Sequence, residues 1–238
     1  MRTSINPTEQ NISEIENWLL EEYNNQKEGF ITNWEMIPEA FKENRISIIT
    51  ENDKAIAFAV FRIYDEMAVI DIAEIEPIER GKGIARKFIN ETLDILKSKG
   101  VIVVKLFCSP EKSEGFWKKC GFQRFEFPNN SQINMYKTLV EVLNPSKNSI
   151  KPNHDKLKLW DCEPHLTDRN EPKWIWELEY KNDNKTLVKP IIYPAYYDWQ
   201  IELESENKII TDKVKYFPID ISHNGTFMII NKIENTKH

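Results

Sequence analysis

Two features of this chain could do chemistry. The first is Arg80-Gly81-Lys82-Gly83-Ile84-Ala85, where two glycines and two cations stand between a β-branched apolar run and a helix-period segment. A strand that stops at a glycine turn and restarts as a helix presents unpaired backbone N–H groups at the positive end of the helix dipole, a place suited to a diphosphate. Arg86 and Lys87 add local positive charge. The second is a pair of carboxylates, Asp71 and Glu74, in the apolar run that leads to the loop. Carboxylates are costly to bury unpaired, so each has a function, an ion pair or a solvated strand end. Their odd separation puts them on opposite faces of a regular strand, unless a bulge intervenes.

The elements that position these groups follow from hydrophobic period. Ala68 to Ile75 is a buried strand, and Ile84, Phe88, Ile89, Leu93 and Leu96 mark one face of a helix that stops at Gly100. Val101 to Phe107 is a second buried strand, completing a right-handed crossover. Upstream, residues 2–5 form an edge strand, and Asn6-Pro7 caps a helix bearing Ile12, Ile15, Trp18, Leu19 and Tyr23 on one face. A short helix spans 34–41, and Arg45–Thr50 and Ala55–Tyr64 form a hairpin turning at Glu51-Asn52-Asp53-Lys54. Downstream come a helix over 112–120 and strands over 122–127 and 132–140.

The spacing Arg80-x-x-Gly83-x-Ala85, the lead-in Ile75-x-Pro77 and the downstream Phe116-Trp117-Lys118-Lys119-Cys120-Gly121-Phe122 together resemble the GNAT superfamily of N-acyltransferases. The loop is not a P-loop, lacking Gly-Lys-Ser/Thr, nor a dinucleotide fingerprint, having two glycines. The resemblance covers about residues 1–140. It implies an α/β (α+β) fold with a mixed, mostly antiparallel sheet flanked by helices. It implies acetyl-CoA as co-substrate, its pyrophosphate held by Arg80, Gly81, Lys82, Gly83, Ile84 and Ala85 and its pantetheine arm by the backbone at Ile75. The implied reaction is transfer of an acetyl (acyl) group to a primary amine by direct attack in a ternary complex. Glu74 or Asp71 would then deprotonate the amine, with Glu74 preferred for its nearness to the loop. Phe30, Trp34 and Met36 lie where this family borders its acceptor, as substrate contacts or as core.

Two positions depart from the family pattern. Trp117 stands where a tyrosine general acid is usual, and Ser109-Pro110 where an asparagine often contacts the pantetheine. The proton for the leaving thiolate would come from another hydroxyl such as Tyr136, from a thiol at Cys108 or Cys120, or from water; otherwise catalysis has been lost. The rival reading is a non-catalytic CoA-binding sensor or scaffold whose β-domain binds a protein or glycan.

After Leu143 the polar, proline-interrupted 144–154 reads as a linker between a domain over 1–143 and a small all-β domain over 155–238. Strand-like runs there are Trp174–Tyr180, Tyr197–Glu204 and Thr226–Ile230. The aromatics Trp160, Trp174, Trp176, Trp199, Tyr193, Tyr196 and Tyr197 form a stacking platform, an interface or the core of this domain. The domain would frame the acceptor or make a homodimer.

The net charge of −6 divides as 18 basic against 23 acidic residues up to 145 and 14 against 15 beyond, which speaks against nucleic acid as a partner. An acidic excess outside the loop suits a cationic acceptor, although ordinary solubility charge explains it more simply. The absence of a membrane-length apolar run and of a signal-peptide core makes the cytoplasm the expected compartment, with no membrane partner. Three cysteines at irregular spacing fit reduced thiols. Cys162 and His165, with His154 and His223, lack the paired spacing of a zinc site, so no metal is expected.

Overall fold

The computed structural model describes residues 1–238 other than 28, 128–130, 147–154, 167–170, 206–207, 218–220, 225 and 234–238. The chain divides into two compact units, Met1–Leu139 and Val140–His238.

The first unit is a seven-stranded sheet with helices on both faces. Its strands are β1 (Arg2–Ser4), β2 (Ile46–Glu51), β3 (Lys54–Tyr64), β4 (Met67–Ile75), β5 (Val103–Phe107), β6 (Gln123–Phe125) and β7 (Asn134–Thr138), in the order β1-β2-β3-β4-β5-β7-β6. Only β4 and β5 run parallel; every other neighbouring pair is antiparallel. The β2–β3 turn sits at Asn52-Asp53, both at positive φ, as a two-residue hairpin of the primed type requires.

The helices are α1 (Glu9–Gln26), α2 (Met36–Lys42), α3 (Ile84–Ser98) and α4 (Glu114–Lys119). One face of the sheet is covered by α3 and α4: Ile84, Phe88, Ile89, Leu93 and Leu96 pack with Ala59, Phe61, Ile70, Val104 and Trp117. At about 1.5–3 kcal/mol per fully buried large apolar side chain, this face anchors the helix whose start is the glycine loop. The other face is covered by α1 and α2, through Ile12, Ile15, Trp18, Leu19, Ile37 and Ala40 against Phe58, Val60 and Ile72.

Two details of α1 differ from expectation. Its N-cap is Thr8, in a capping box with Asn11, so Pro7 precedes the helix. The stripe beyond Leu19 continues through Glu22, which is buried, while Tyr23 is exposed. From Ile15, a step of seven residues arrives at 22, so the charged residue and not the aromatic one occupies the inward slot.

The second unit holds two sheets. One has the order β12 (Lys208–Lys213), β11 (Gln200–Ser205), β8 (Lys156–Leu159), β9 (Trp174–Glu177); the other is β10 (Thr186–Pro194), β14 (Phe227–Lys232), β13 (Ile221–Asn224). Leu157, Leu159, Trp176, Ile191, Trp199, Ile201, Leu203, Met228 and Ile230 form its core. Opposite charges face each other across β8 and β11, with Lys158 Nζ 2.8 Å from Glu202. Residues 143–146, read from sequence as the domain end and the start of a linker, bond within this unit: Leu143 N–H donates to Pro190 O and Ser146 N–H to Ile175 O. The rest of that segment, 147–154, lies outside the described residues.

Candidate active site

The site is built where β4 and β5 part. They pair at Met67–Val103, Ala68–Val104 and Val69–Lys105 and no further, although β4 runs on to Ile75 and β5 to Phe107. The cause lies two residues past the last pair. Val60 faces Ile72 and Phe61 faces Ile70, so Asp71 is an extra residue in β4, a bulge that bends the strand and re-aims its side chains. Ala68 and Ile70 before the bulge, and Ala73 and Ile75 after it, all lie against the α3 face, whereas Ile72 joins the α1 face. The bulge thereby cancels the odd separation. Asp71 and Glu74 share the α1 face of the sheet.

They are not equivalent there. Asp71 takes both Nε and Nη2 of Arg62 from β3, at 2.8 and 2.5 Å, an ion pair lying across the two strands. Lys105 sits nearby on β5, its amine pushed below the ordinary lysine range by burial, with Arg62 adding to the effect and Asp71 opposing it. Glu74 stands at the open end of the split instead, lining a cleft of about 600 Å³ with Glu22, Gly29, Phe30, Arg80, Ser109, Pro110, Lys112 and Ser113.

Within the cleft one guanidinium makes four contacts to three groups. Arg80 Nη1 is 2.6 Å from Glu22 Oε1, Nη2 donates to Glu22 Oε2 and to Glu74 Oε1, each at 2.9 Å, and Nε donates to Ile75 O at 3.0 Å. Ile75 N–H donates to Glu74 Oε1 at 3.3 Å. Since Glu76 N–H donates toward β3, to Ile56 O, the N–H and C=O of Ile75 point the other way, into the split. Burial holds the Glu74 carboxyl above the ordinary glutamate range; Arg80 opposes that and Glu22 reinforces it. A shift in this direction makes the carboxylate a stronger base.

The glycine loop is a backbone site. Gly81 and Gly83 have φ of +82° and +81°, and a Cβ at either would meet no atom within 4 Å, so the space above them is open. Gly83 is the N-cap of α3 and offers no side-chain acceptor to the first-turn N–H groups. Lys82 Nζ is 2.8 Å from Glu79 and Arg80 is held by Glu22 and Glu74. With those two cations engaged, the anion-binding capacity of the loop rests on N–H groups and the helix dipole, to which the exposed Arg86 and Lys87 of the first turn of α3 add positive charge.

Residues 12–122 match the model of the acetyltransferase (GNAT) family. The first unit contains a GNAT acetyltransferase domain. Coenzyme A-dependent acetyl transfer, in general terms, follows from that family. Among solved structures, the domain is similar to an aminoglycoside 6'-N-acetyltransferase complexed with coenzyme A (15% identity, 59% of this chain and 98% of that one, TM-score 0.48). It is also similar to the PaiA N-acetyltransferase of Thermoplasma acidophilum in complex with coenzyme A (18% identity, 58% and 99%, TM-score 0.47). The comparison with curated proteins gives no match.

The GNAT domain brings some of the sequence-derived residues together and separates others. Glu74, Ile75, Arg80 and Phe30 converge on the cleft. Trp34 and Met36 pack against the α1–α2 core. Tyr136 is buried on β7 opposite Lys105 and does not line the cleft. Trp117 is buried in the α3–α4 core with its ring edge-on to Phe116 and Phe122, at 5.1 and 5.3 Å. Burial pushes the Cys108 and Cys120 thiols up, away from thiolate. Glu22 and Gly29 were missed from sequence. The signal for Glu22 was present: a glutamate in the apolar stripe of α1.

Of the aromatics in the second unit, Trp160, Trp176 and Trp199 are buried, while Tyr197 and Tyr216 are exposed with Lys215 Nζ near both rings, 5.4 and 4.9 Å from their centroids. Among the described residues there is no group of three metal-binding side chains, and no helix is long and apolar enough to cross a membrane. His154 lies outside the described residues.

Proposed function

We propose that this protein is an acyl-CoA-dependent N-acyltransferase, most simply an acetyltransferase, acting on a primary amine by direct attack in a ternary complex. The observation that carries the reading is a cleft where β4 and β5 part, lined by the half-buried carboxylate of Glu74 and by Arg80, the residue that leads into the open-topped glycine N-cap of α3.

In this reading the diphosphate of the donor lies on the N–H groups at the start of α3. The pantetheine arm enters the split and pairs with the Ile75 backbone. The Ile75 N–H then polarises the thioester carbonyl, replacing its 3.3 Å contact to Glu74, which is long for a charge-assisted bond. Glu74 Oε1 then keeps the Arg80 Nη2 bond alone, which leaves it a lone pair for the acceptor. The amine nitrogen attacks the carbonyl carbon, Glu74 takes its proton directly or through water, and the C–S bond breaks as the amide forms. The leaving thiolate has a pKa near that of free cysteine, about 8.5, so it departs and takes a proton from solvent without a dedicated acid.

A Gly83→Trp variant tests the donor site. A Cβ at Gly83 meets nothing in the protein, so the variant folds with only the strain of a positive φ, about 1 kcal/mol, while its ring covers the diphosphate position. Acetyl-CoA affinity measured by calorimetry should fall at least about 30-fold, roughly 2 kcal/mol. Unchanged affinity contradicts the donor site.

A further inference from the structure

We infer that Glu22 is a positioning residue for Glu74, acting through the Arg80 guanidinium. The inference rests on Glu74 being the base for the acceptor amine.

Glu22 occupies an inward slot of α1 in line with Ile15, Trp18 and Leu19, a slot that packing would fill with an apolar side chain. Its side chain is 1% exposed, and a carboxylate that deep costs several kcal/mol unless it is paired. Both of its oxygens are committed to Arg80, at 2.6 and 2.9 Å. Gly29 closes over the same carboxylate from the loop after α1, at a φ of +92°, where a Cβ would lie 3.0 Å from Glu22 Oε2. With the carboxylate fixed from two sides, the guanidinium has one orientation, and from it reaches Glu74 Oε1 and Ile75 O together. Glu22 thus does two things at the base. It holds the cation that places the Glu74 carboxylate, and it neutralises that cation so that Glu74 is not reduced to an unreactive ion-pair partner.

The charged groups lining the cleft with Glu74 are Glu22 from α1, Arg80 from the loop and Lys112 from the β5–α4 segment. Two further pairs, Lys54–Glu76 and Arg62–Asp71, lie along β3 and β4. Glu22 and Arg80 alone combine a direct bond to each other with a direct electrostatic influence on Glu74.

The test is Glu22→Gln, which keeps shape and removes charge. Arg80 is then left to Glu74 alone, and the acid limb of kcat/KM for the acceptor should move to lower pH by roughly half a unit to one unit, with acetyl-CoA affinity unchanged. A second readout needs no turnover: the carboxyl carbon of Glu74, labelled with 13C and assigned by its loss in Glu74→Gln, should titrate at lower pH in Glu22→Gln than in the wild type. An unmoved titration midpoint overturns the role of Glu22, and leaves the N-acyltransferase reading standing if Glu74→Gln still abolishes the acid limb. A wild-type acid limb in Glu74→Gln overturns Glu74 as the base, and the role of Glu22 with it.

Discussion

Arg80 gives its guanidinium to Glu22: Nη1 and Nη2 meet the two carboxylate oxygens at 2.6 and 2.9 Å, joining the end of α1 to the glycine loop. The cation that the loop motif offers to a diphosphate is thus committed to the two carboxylates of the cleft. Arg80→Met should leave acetyl-CoA affinity within a few-fold of wild type, and should destabilise the fold because the Glu22 charge, 1% exposed, loses its partner. Removing one partner of a buried pair costs about 3–5 kcal/mol; Arg80 is 38% exposed, so solvent screening brings the expected loss to roughly 2–3 kcal/mol. Lys82→Met, which breaks a surface pair with Glu79, should cost less than about 1 kcal/mol. Urea unfolding of both variants checks the contrast.

Stability should also report Glu74. Its carboxyl titrates above the ordinary glutamate range in the folded protein because of burial. Between the unfolded value, about 4.3, and the raised folded one, the folded state binds more protons than the unfolded state, so unfolding free energy falls as pH rises through that window. Glu74→Gln removes this dependence. Thermal melts should show the variant gaining on the wild type as pH rises from about 4.3 to the raised folded-state value, with no relative change below that window.

Trp117 holds the position of a family acid but sits in the core between Phe116 and Phe122. Trp117→Phe should lower stability while leaving the thiol-release rate of the folded fraction within about twofold of wild type, since general acid catalysis is worth about 100-fold or more where it operates. Trp117→Ala should cost about 3–5 kcal/mol. A collapse of turnover in a stably folded Trp117→Phe would return the residue to the reaction.

Gly29→Ala probes the loop that closes over Glu22. The positive φ costs about 1–2 kcal/mol, and the new Cβ displaces Glu22 Oε2. Kinetics for the acceptor should change while acetyl-CoA affinity does not, because the glycine loop is untouched. Calorimetry and initial rates on one preparation separate the two.

The sequence was most legible where a period or a turn is local. The α3 stripe, the crossover, the Asn52-Asp53 hairpin and the Gly81/Gly83 turn all follow from spacing. What it hid was tertiary. The bulge at Asp71, which puts Glu74 on the same face of the sheet as Asp71, leaves no compositional mark, because the extra residue is seen only once β3 is paired beside β4. Glu22 and not the aromatic Tyr23 fills the inward slot of α1, and the carboxylate fits there only because Arg80, 58 residues away, neutralises it. In the second unit β10 contains Pro190 and Pro194 and is an edge strand of its sheet, where proline is tolerated. Lys156-Leu157-Lys158-Leu159 is too short to declare itself without its partner glutamates on β11.

The most direct test of the central claim is free-thiol release from acetyl-CoA by the full chain, wild type and Glu74→Gln, across polyamines, aminoglycosides, amino sugars and peptides. The account predicts turnover with at least one amine class, lost by at least about 100-fold in Glu74→Gln at neutral pH, with both proteins binding acetyl-CoA. Background thiol release from the wild type across the whole panel, with acetyl-CoA still bound, would contradict the enzyme reading and leave a CoA-binding sensor or scaffold in its place.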